Sequence, residues 1–325
     1  MFGLYFPSGF HTMRVLLVHN PGAGDDSTPG PKELKALLED AGHEFEFVPA
    51  RGPEWKKALK EEKFDAVAVA GGDGTVAKVA RRAIGRDVPI AVLPMGTANN
   101  IAKTLGVRDI PMPELIAGWD SAQRKRMDAG VVGGPWKSRY FIEAVGAGLF
   151  AVAIPEVDAN PTMAKLKDAE AKATYAKQVV RERLKKCRPL ELDIRLDGEK
   201  HSGEYILFEV MNIEFVGPNL YLAPKSATDD GAFDVVLITE KQRRKLEEFL
   251  ESWQEGVTVP PDFTTFKASR IEVNWTGFDV HIDDAVYPKK EKAREKAPAA
   301  LTIEMEHDAL EFLVPGRPDA PDTAK

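Results

Sequence analysis

The sequence predicts two domains of different class, an α/β domain with a doubly wound parallel sheet followed by an antiparallel β-sandwich. In the first part of the chain, short apolar runs alternate with helix-like segments, which is typical of parallel βαβ units. From about Asp128 onward, β-rich segments follow one another with few helices between them, which indicates a sandwich. We place the domains at residues 13–130 and 131–315 and leave open whether the last strand or tail packs back on the first domain. Residues 1–12 and 316–325 are expected to be disordered.

Composition restricts the class of partner. The formal net charge of −7 argues against a nucleic acid, because binding to a polyphosphate backbone requires a basic surface. The single cysteine, Cys187, excludes an intrachain disulfide and favours a reducing, cytoplasmic location. No apolar stretch approaches the ~20 residues that a transmembrane helix needs. Contact with lipid is therefore expected only as a peripheral protein at the inner membrane surface, and a homodimer is left open.

Three basic clusters are candidates for such a contact, although charge runs of this kind are usually solvated faces. They are Arg181–Arg188, Lys241–Lys245 and Lys289–Lys296.

The stretch Phe64–Thr75, FDAVAVAGGDGT, joins a buried strand to a helix through three glycines and one carboxylate. Glycines allow a sharp turn, and the helix N-terminus that follows offers backbone N–H groups to a phosphate. The alternative is an ordinary strand-to-helix turn in which Asp73 caps a helix that starts at Val76.

Two further glycine-containing turns follow predicted strands, at Asn20–Gly24 (NPGAG) and Pro94–Asn100 (PMGTANN). Ligands of doubly wound sheets bind beyond the carboxyl ends of the strands. The three turns are therefore expected to converge on one crevice.

With NPGAG, GGDGT and PMGTANNIA in this order, the chain resembles the diacylglycerol kinase catalytic family, specifically the bacterial lipid kinases related to sphingosine kinases. The resemblance extends from Met13 to about Pro315. It includes Asp128-Ala129-Gly130, the strand FIEAVGAG, the segment Asp229–Asp234 and the ending LTIEMEHDALEFLVP.

The resemblance implies an ATP-dependent, Mg²⁺-using lipid kinase of phospholipid metabolism, which phosphorylates a hydroxyl of diacylglycerol or a similar lipid presented at a membrane. Asp73 is expected to act through Mg²⁺ or its water shell, because a carboxylate beside phosphates needs a cation between them. The residues expected to contact ATP are Asn20, Gly24, Gly71, Gly72, Asp73, Gly74, Thr75, Gly96, Thr97 and Asn99.

A second divalent site is implied in the Asp-Asp-Gly segment. It falls on the Asp230 carboxylate with the backbone carbonyls of Ala227 and Ala232. The alternative is a type I turn with Asp and Gly in their favoured positions.

Two departures from the family pattern bear on catalysis. The family commonly has Asn-Asp where this chain has Asn99-Asn100, so one carboxylate is lost near the metal. The late motif Asp-Gly-Glu, whose acidic residues are proposed to take the proton from the lipid hydroxyl, reads Asp283-Asp284-Ala285 here. Since Ala285 cannot accept a proton, the catalytic base is Asp283, or Asp284 through a local kink, or the chain is a weak kinase.

Two other functions stay open. An NAD kinase-like enzyme shares the GGDGT turn, and a catalytically silent nucleotide- or lipid-binding protein would fit Asn100 and Ala285.

Two apolar segments, Leu149–Ile154 and Phe215–Tyr221, are candidates to line a cleft for the lipid. The alternative is that they are part of the ordinary hydrophobic core.

Overall fold

The computed structural model describes residues 12–24, 28–61, 63–166, 168–254 and 262–316. The two segments predicted to be disordered lie outside these residues, apart from Thr12 and Gly316.

The first domain is built on four parallel strands in the order β2-β1-β3-β4. The chain thus runs to one side of β1 and then returns to the other, which confirms the predicted doubly wound sheet. In this topology the crevice for a ligand lies where the winding direction changes, beyond β1 and β3. The elements are β1 Arg14–His19, α1 Pro31–Asp40, β2 Glu44–Pro49, α2 Glu54–Glu61, β3 Ala66–Gly71, α3 Asp73–Ala83, β4 Ile90–Pro94, α4 Asn100–Thr104 and α5 Met112–Ala117.

The second domain is largely antiparallel, as predicted. Its strands are β5 Gln123–Gly133, β6 Arg139–Phe141, β7 Ala144–Gly148, β8 Leu190–Leu192, β9 Ile194–Leu196, β10 Glu199–Lys200, β11 Gly203–Met211, β12 Phe215–Val216, β13 Leu220–Tyr221, β14 Phe233–Thr239, β15 Thr265–Ala268, β16 Arg270–Trp275, β17 Val280–Ile282, β18 Ala285–Tyr287 and β19 Ala299–Val314. Its helices are α6 Leu149–Ala159, α7 Pro161–Lys165, α8 Ala169–Leu184 and α9 Arg243–Gln254, with 3-10 turns at Glu240–Gln242 and Glu291–Lys296.

The long last strand, β19, joins the two domains. Phe312 of β19 pairs in parallel with Ile90 of β4, while the first half of β19 pairs antiparallel with β16. One sheet therefore runs through both domains in the order β2-β1-β3-β4-β19-β16-β9-β10, with β5 and β6 attached to it. The domains are tied by a hydrogen-bonded strand as well as by the connecting chain.

A second sheet, in the order β15-β14-β11-β7-β17-β18, completes the sandwich. Apolar residues between the two sheets form one core, and a further core lies between the second sheet and helices α6, α8 and α9. This helical layer covers the second sheet and forms one wall of the site described below. Within the described residues, no helix is both long and apolar enough to cross a membrane.

Helices α7 and α8 follow each other closely but are separate. The break occurs because Asp168 leaves the helical conformation and caps α8, its side chain accepting a hydrogen bond from Ala171 N at 2.8 Å. A capping carboxylate of this type stabilises the start of a helix. The break sets the position of α8, whose first turns face the site.

Candidate functional site

The three glycine-containing turns converge at the carboxyl ends of β1, β3 and β4, where they line a cavity of about 450 Å³. Of the residues predicted to contact ATP, Gly71 does not line this cavity. Those that do are Asn20, Gly24, Gly72, Asp73, Gly74, Thr75, Gly96, Thr97 and Asn99.

Close contacts lock the turns together. Asn20 Nδ2 donates to Thr75 Oγ1 at 3.0 Å, and Asn20 Oδ1 accepts from Gly22 N at 3.1 Å, so one side chain joins the first turn to the second. The second and third turns touch through their backbones, since a Cβ on Gly96 would lie 2.4 Å from Gly72 Cα. Glycine is required at this contact because no side chain fits.

The structure changes the roles expected for several of these groups. Helix α3 begins at Asp73 after the N-cap Gly72, so the alternative in which Asp73 caps a helix starting at Val76 is wrong. Thr75 N donates to Gly72 O at 2.9 Å, and its N–H is not free for a phosphate. Asn99 uses its amide to close its own turn, accepting from Gly96 N at 2.8 Å and donating to Gly96 O at 2.9 Å. Val76 N also donates to Gly72 O, at 3.0 Å, so only the N–H groups that precede Thr75 in α3 have no acceptor within the helix.

Asp73 connects the starts of two helices. Its Oδ1 accepts a hydrogen bond from Ile101 N at 3.0 Å, in the first turn of α4. Burial raises the pKa of Asp73, and the surrounding backbone N–H groups counteract this. The carboxyl group lines the cavity as well, so it is fixed in place beside any bound phosphate.

A second cavity, of about 260 Å³, adjoins the first and is mainly apolar. Part of each predicted lipid segment lines it: Phe150, Ala153 and Ile154 from Leu149–Ile154, and Val216, Gly217 and Pro218 from Phe215–Tyr221. Further apolar lining comes from Val157 on α6 and from Ala176 and Val180 on α8. We refer to this second cavity as the apolar cleft.

Five residues line both cavities: Asp73, Gly74, Thr97, Lys172 and Asp284. Lys172, on α8, brings a positive charge to this boundary. Sequence reasoning missed it, because a lysine in a charged helix of the second domain carries no signal that it faces a turn of the first domain.

The two candidate bases, Asp283 and Asp284, form the turn between β17 and β18. Asp283 has a positive φ of 49°, and its buried carboxyl group accepts hydrogen bonds from Ile142 N at 3.0 Å, Glu143 N at 2.9 Å and the Arg81 guanidinium. Burial raises the pKa of Asp283 and Arg81 lowers it. Since its oxygens already have three donors, Asp283 is placed as an anchor of the fold.

Asp284 is exposed and lines the polar cavity at the three glycine-containing turns. A Cβ on Gly74 would lie 2.6 Å from Asp284 Oδ2, so the carboxylate sits directly over the GGDGT turn. The chain turns at Asp283 and Asp284, so the strand does not continue through them; a local kink here was the condition under which Asp284 could serve as the base. Of the two predicted bases, Asp284 is the one whose oxygens are accessible from both cavities.

Glu143 is a site residue that the sequence analysis did not single out. It lines the apolar cleft, is 9% exposed, and receives a hydrogen bond from Asn100 Nδ2 at Oε2, 3.2 Å away. Burial raises its pKa well above the usual range, and the carboxylates of Asp73 and Asp283 add to this. A glutamate inside the otherwise apolar stretch FIEAVGAG was the available signal.

A buried ion pair lies behind the turn. His281 Nε2 is 2.8 Å from Glu209 Oε2, and Nδ1 is 3.1 Å from Asp283 O. Burial lowers the pKa of His281, but its contacts with Glu209 and Asp283 together raise it overall. Both ring nitrogens are engaged in hydrogen bonds, so the ring is not free to act as a base.

The predicted divalent site at Asp230 is occupied by protein groups. Asp230 Oδ2 lies 2.8 Å from Lys267 Nζ, and Oδ1 accepts from the backbone N–H of Ala232 at 3.1 Å. Lys267 Nζ also lies 2.8 Å from Asp234 Oδ2, so the two carboxylates share one ammonium group. The assignment of a metal to Asp230 with the carbonyls of Ala227 and Ala232 stays a prediction.

One other group of side chains among the described residues could hold a metal, namely Asp128, His307 and Asp308, whose ligand atoms lie within 4.8 Å of one another. Asp128 already accepts hydrogen bonds from Gly231 N, His307 Nδ1 and Asp308 N, each at 2.8 Å. The hydrogen bonds of Asp128 therefore connect the Asp-Asp-Gly segment to β19.

The fold and the paired cavities are those of a two-domain kinase. The family model of the diacylglycerol kinase catalytic domain matches residues 14–132, and that of the YegS C-terminal NAD kinase beta sandwich-like domain matches residues 144–305.

A diacylglycerol kinase of Bacillus subtilis is 30% identical over 274 residues, which cover 80% of this chain and 86% of that protein. A diacylglycerol kinase of Mycobacterium tuberculosis is 25% identical over 249 residues, covering 74% and 76% of the two chains. The chain belongs to the diacylglycerol kinase family.

Solved structures share the fold. The crystal structure of a diacylglycerol kinase from Bacillus anthracis is 18% identical, with a TM-score of 0.65 over 94% of this chain and 97% of that one. Another structure from the same organism is 21% identical, with a TM-score of 0.70 over 95% of this chain and 100% of the other.

Proposed function

We propose that the protein transfers the γ-phosphate of ATP to a hydroxyl group of diacylglycerol or a similar lipid. The observation that carries the proposal is the boundary between the two cavities. A polar cavity at the helix N-termini suits a polyphosphate, and the adjoining apolar cleft suits an acyl chain. A phosphate in one cavity and a lipid hydroxyl in the other would meet at Asp73, Gly74 and Asp284.

The transfer requires little beyond positioning, charge neutralisation and one proton acceptor. The hydroxyl oxygen forms a bond to the γ-phosphorus, the bond from that phosphorus to the bridging oxygen breaks, and ADP leaves. The hydroxyl proton passes to the carboxylate of Asp284, which is exposed at the boundary. Asp284 thus supplies the proton acceptor that Ala285 cannot.

The residues at this boundary also fit a divalent cation. Asp73, which Ile101 N holds through one oxygen, presents its carboxyl group to the polar cavity. Carboxylate oxygens together with phosphate oxygens are the ligands that Mg²⁺ prefers, and the ion would neutralise phosphate charge. Lys172 adds a positive charge from the side of the second domain.

A membrane-bound substrate suggests a peripheral contact. Two of the basic clusters seen in the sequence meet around a surface cavity, where Arg183, Lys186 and Arg188 lie beside Arg294. Arg183 and Arg294 are ion-paired with Glu156 and Asp279, so Lys186 and Arg188 supply the charge that fits an anionic lipid surface. The expected result is co-sedimentation with vesicles that contain phosphatidylglycerol and none with pure phosphatidylcholine vesicles; equal binding to both would refute the electrostatic contact.

The kinase proposal is tested by incubating the protein with γ-labelled ATP, Mg²⁺ and separate lipids in mixed micelles. Label is expected in the phosphorylated product of diacylglycerol or a related lipid alcohol. If ATP binds by calorimetry and no lipid in a broad panel acquires label, the protein is a nucleotide-binding member of the family without this activity.

A further inference from the structure

Glu143 is a buried carboxyl group in the lining of the apolar cleft to which the proposed chemistry assigns no role. Its backbone is held on both sides, since its N–H donates to Asp283 Oδ1 at 2.9 Å and its carbonyl accepts from Asn212 N at 2.9 Å. Asn212 is itself buried and donates to Ile142 O at 2.9 Å. A side chain so fixed, 9% exposed and lining a cavity, is suited to position a ligand.

The hydrogen bond from Asn100 uses only one of the two carboxyl oxygens of Glu143. Asn100 Nδ2 lies 2.8 Å from Gly217 O, an acceptor only, so this atom of Asn100 is the amide nitrogen. The same nitrogen donates to Glu143 Oε2. Among the described residues, Oε1 of Glu143 has no hydrogen-bond partner, although the carboxyl group is in the cleft.

The surroundings of Glu143 favour the protonated, neutral form of its carboxyl group. Burial raises the pKa of Glu143 well above the usual range. Among the described residues no cationic side chain is paired with Glu143, and the nearby Arg81 guanidinium is bound to Asp283. A neutral carboxyl group has a proton to donate, which the carboxylates around it lack.

We propose that Glu143 donates a hydrogen bond to an ester carbonyl of the acceptor lipid, beside the hydroxyl that is phosphorylated. Glu143 is then a residue that determines specificity: it selects an acylglycerol over a lipid with an ammonium group next to its hydroxyl. A charged Glu143 would give the opposite preference, because a carboxylate attracts an ammonium group. The inference rests on the proposed lipid kinase function and adds the chemical class of the lipid head.

The variants Glu143→Gln and Glu143→Leu separate these roles, since the first keeps a donor of similar shape and the second keeps only the volume. Glu199→Gln, on exposed β10, is the matched control for loss of one glutamate charge. Each protein is assayed for phosphorylation of diacylglycerol and of a single-chain amino alcohol lipid. Binding of dioctanoylglycerol is also measured by calorimetry without nucleotide, so that the proposal is tested even if no turnover occurs.

For Glu143→Gln, the KM and the Kd for the acylglycerol are expected within about threefold of wild type, and for Glu143→Leu both rise about tenfold. The KM for ATP and the urea midpoint of Glu143→Leu distinguish a local effect from misfolding. The proposal is overturned if Glu143→Gln loses as much acylglycerol binding or turnover as Glu143→Leu, if the two variants bind it as wild type does, or if wild type prefers the amino alcohol. Absence of turnover in wild type, with binding changed as expected, would count against the kinase proposal alone.

Discussion

Asp283 is predicted to be a structural anchor whose loss costs stability. In Asp283→Ala, the buried N–H groups of Ile142 and Glu143 lose their acceptor, and the Arg81 guanidinium loses its partner. An unsatisfied buried donor costs about 1–3 kcal/mol, and removal of one partner of a buried ion pair costs about 3–5 kcal/mol. Because the Arg81 side chain is 27% exposed and can reach water, its lost partner adds little, and the two unsatisfied donors set the expected total at about 2–6 kcal/mol.

Backbone conformation adds a smaller contribution that can be separated. Asp283 has a φ of 49°, a left-handed conformation that Asn tolerates better than Ala. Asp283→Asn keeps one acceptor oxygen but places an N–H₂ group among donors, so its expected loss is smaller, about 2–3 kcal/mol. Exposed Asp284→Asn is the control and is expected within about 0.5 kcal/mol of wild type.

The assay is urea unfolding followed by tryptophan fluorescence, with lipid phosphorylation measured on the same preparations. The anchor interpretation predicts that Asp283→Ala is destabilised well beyond the control. It would be refuted by a variant that unfolds at the wild-type midpoint but has lost turnover, since Asp283 would then be acting on the substrate.

Two other predictions concern charge at the site. Because the pKa of Glu143 is raised above its ordinary value of 4.5, the folded state holds this proton more tightly than the unfolded state, and stability falls as the pH rises toward the folded pKa. Glu143→Gln cannot ionise, so its urea midpoint should rise relative to that of wild type as the pH increases above 4.5; a difference that stays constant with pH would contradict the buried acid. Lys172→Met should raise the KM for ATP about tenfold at unchanged stability, because a positive charge leaves the boundary of the two cavities, and an unaltered KM would exclude a phosphate contact.

The parts of the fold that depend on local pattern were predictable. Glycines after apolar runs identified three strand ends, and the rule for parallel sheets placed them in one crevice, where the structure has them. The run of β-rich segments likewise predicted the sandwich.

What could not be predicted depends on contacts between distant residues. Asp283 meets Ile142 and Arg81, which lie 141 and 202 positions away in the chain, and no spacing rule reports such a contact. The role of Asp283 as an anchor followed only from its partners. The contact between Glu143 and Asn100 was missed for the same reason. Asn100 has an amide where the family commonly has a carboxylate, and the carboxyl group beside that amide belongs to Glu143, 43 positions away in the chain.

The account rests on the carboxylate of Asp284, and Asp284→Asn tests it most directly. The exchange keeps the size of an exposed side chain and removes the proton acceptor. With labelled ATP and diacylglycerol, the account predicts that kcat falls about 10²- to 10⁴-fold while the Kd for ATP changes little. A kcat within a few-fold of wild type would show that another group accepts the hydroxyl proton.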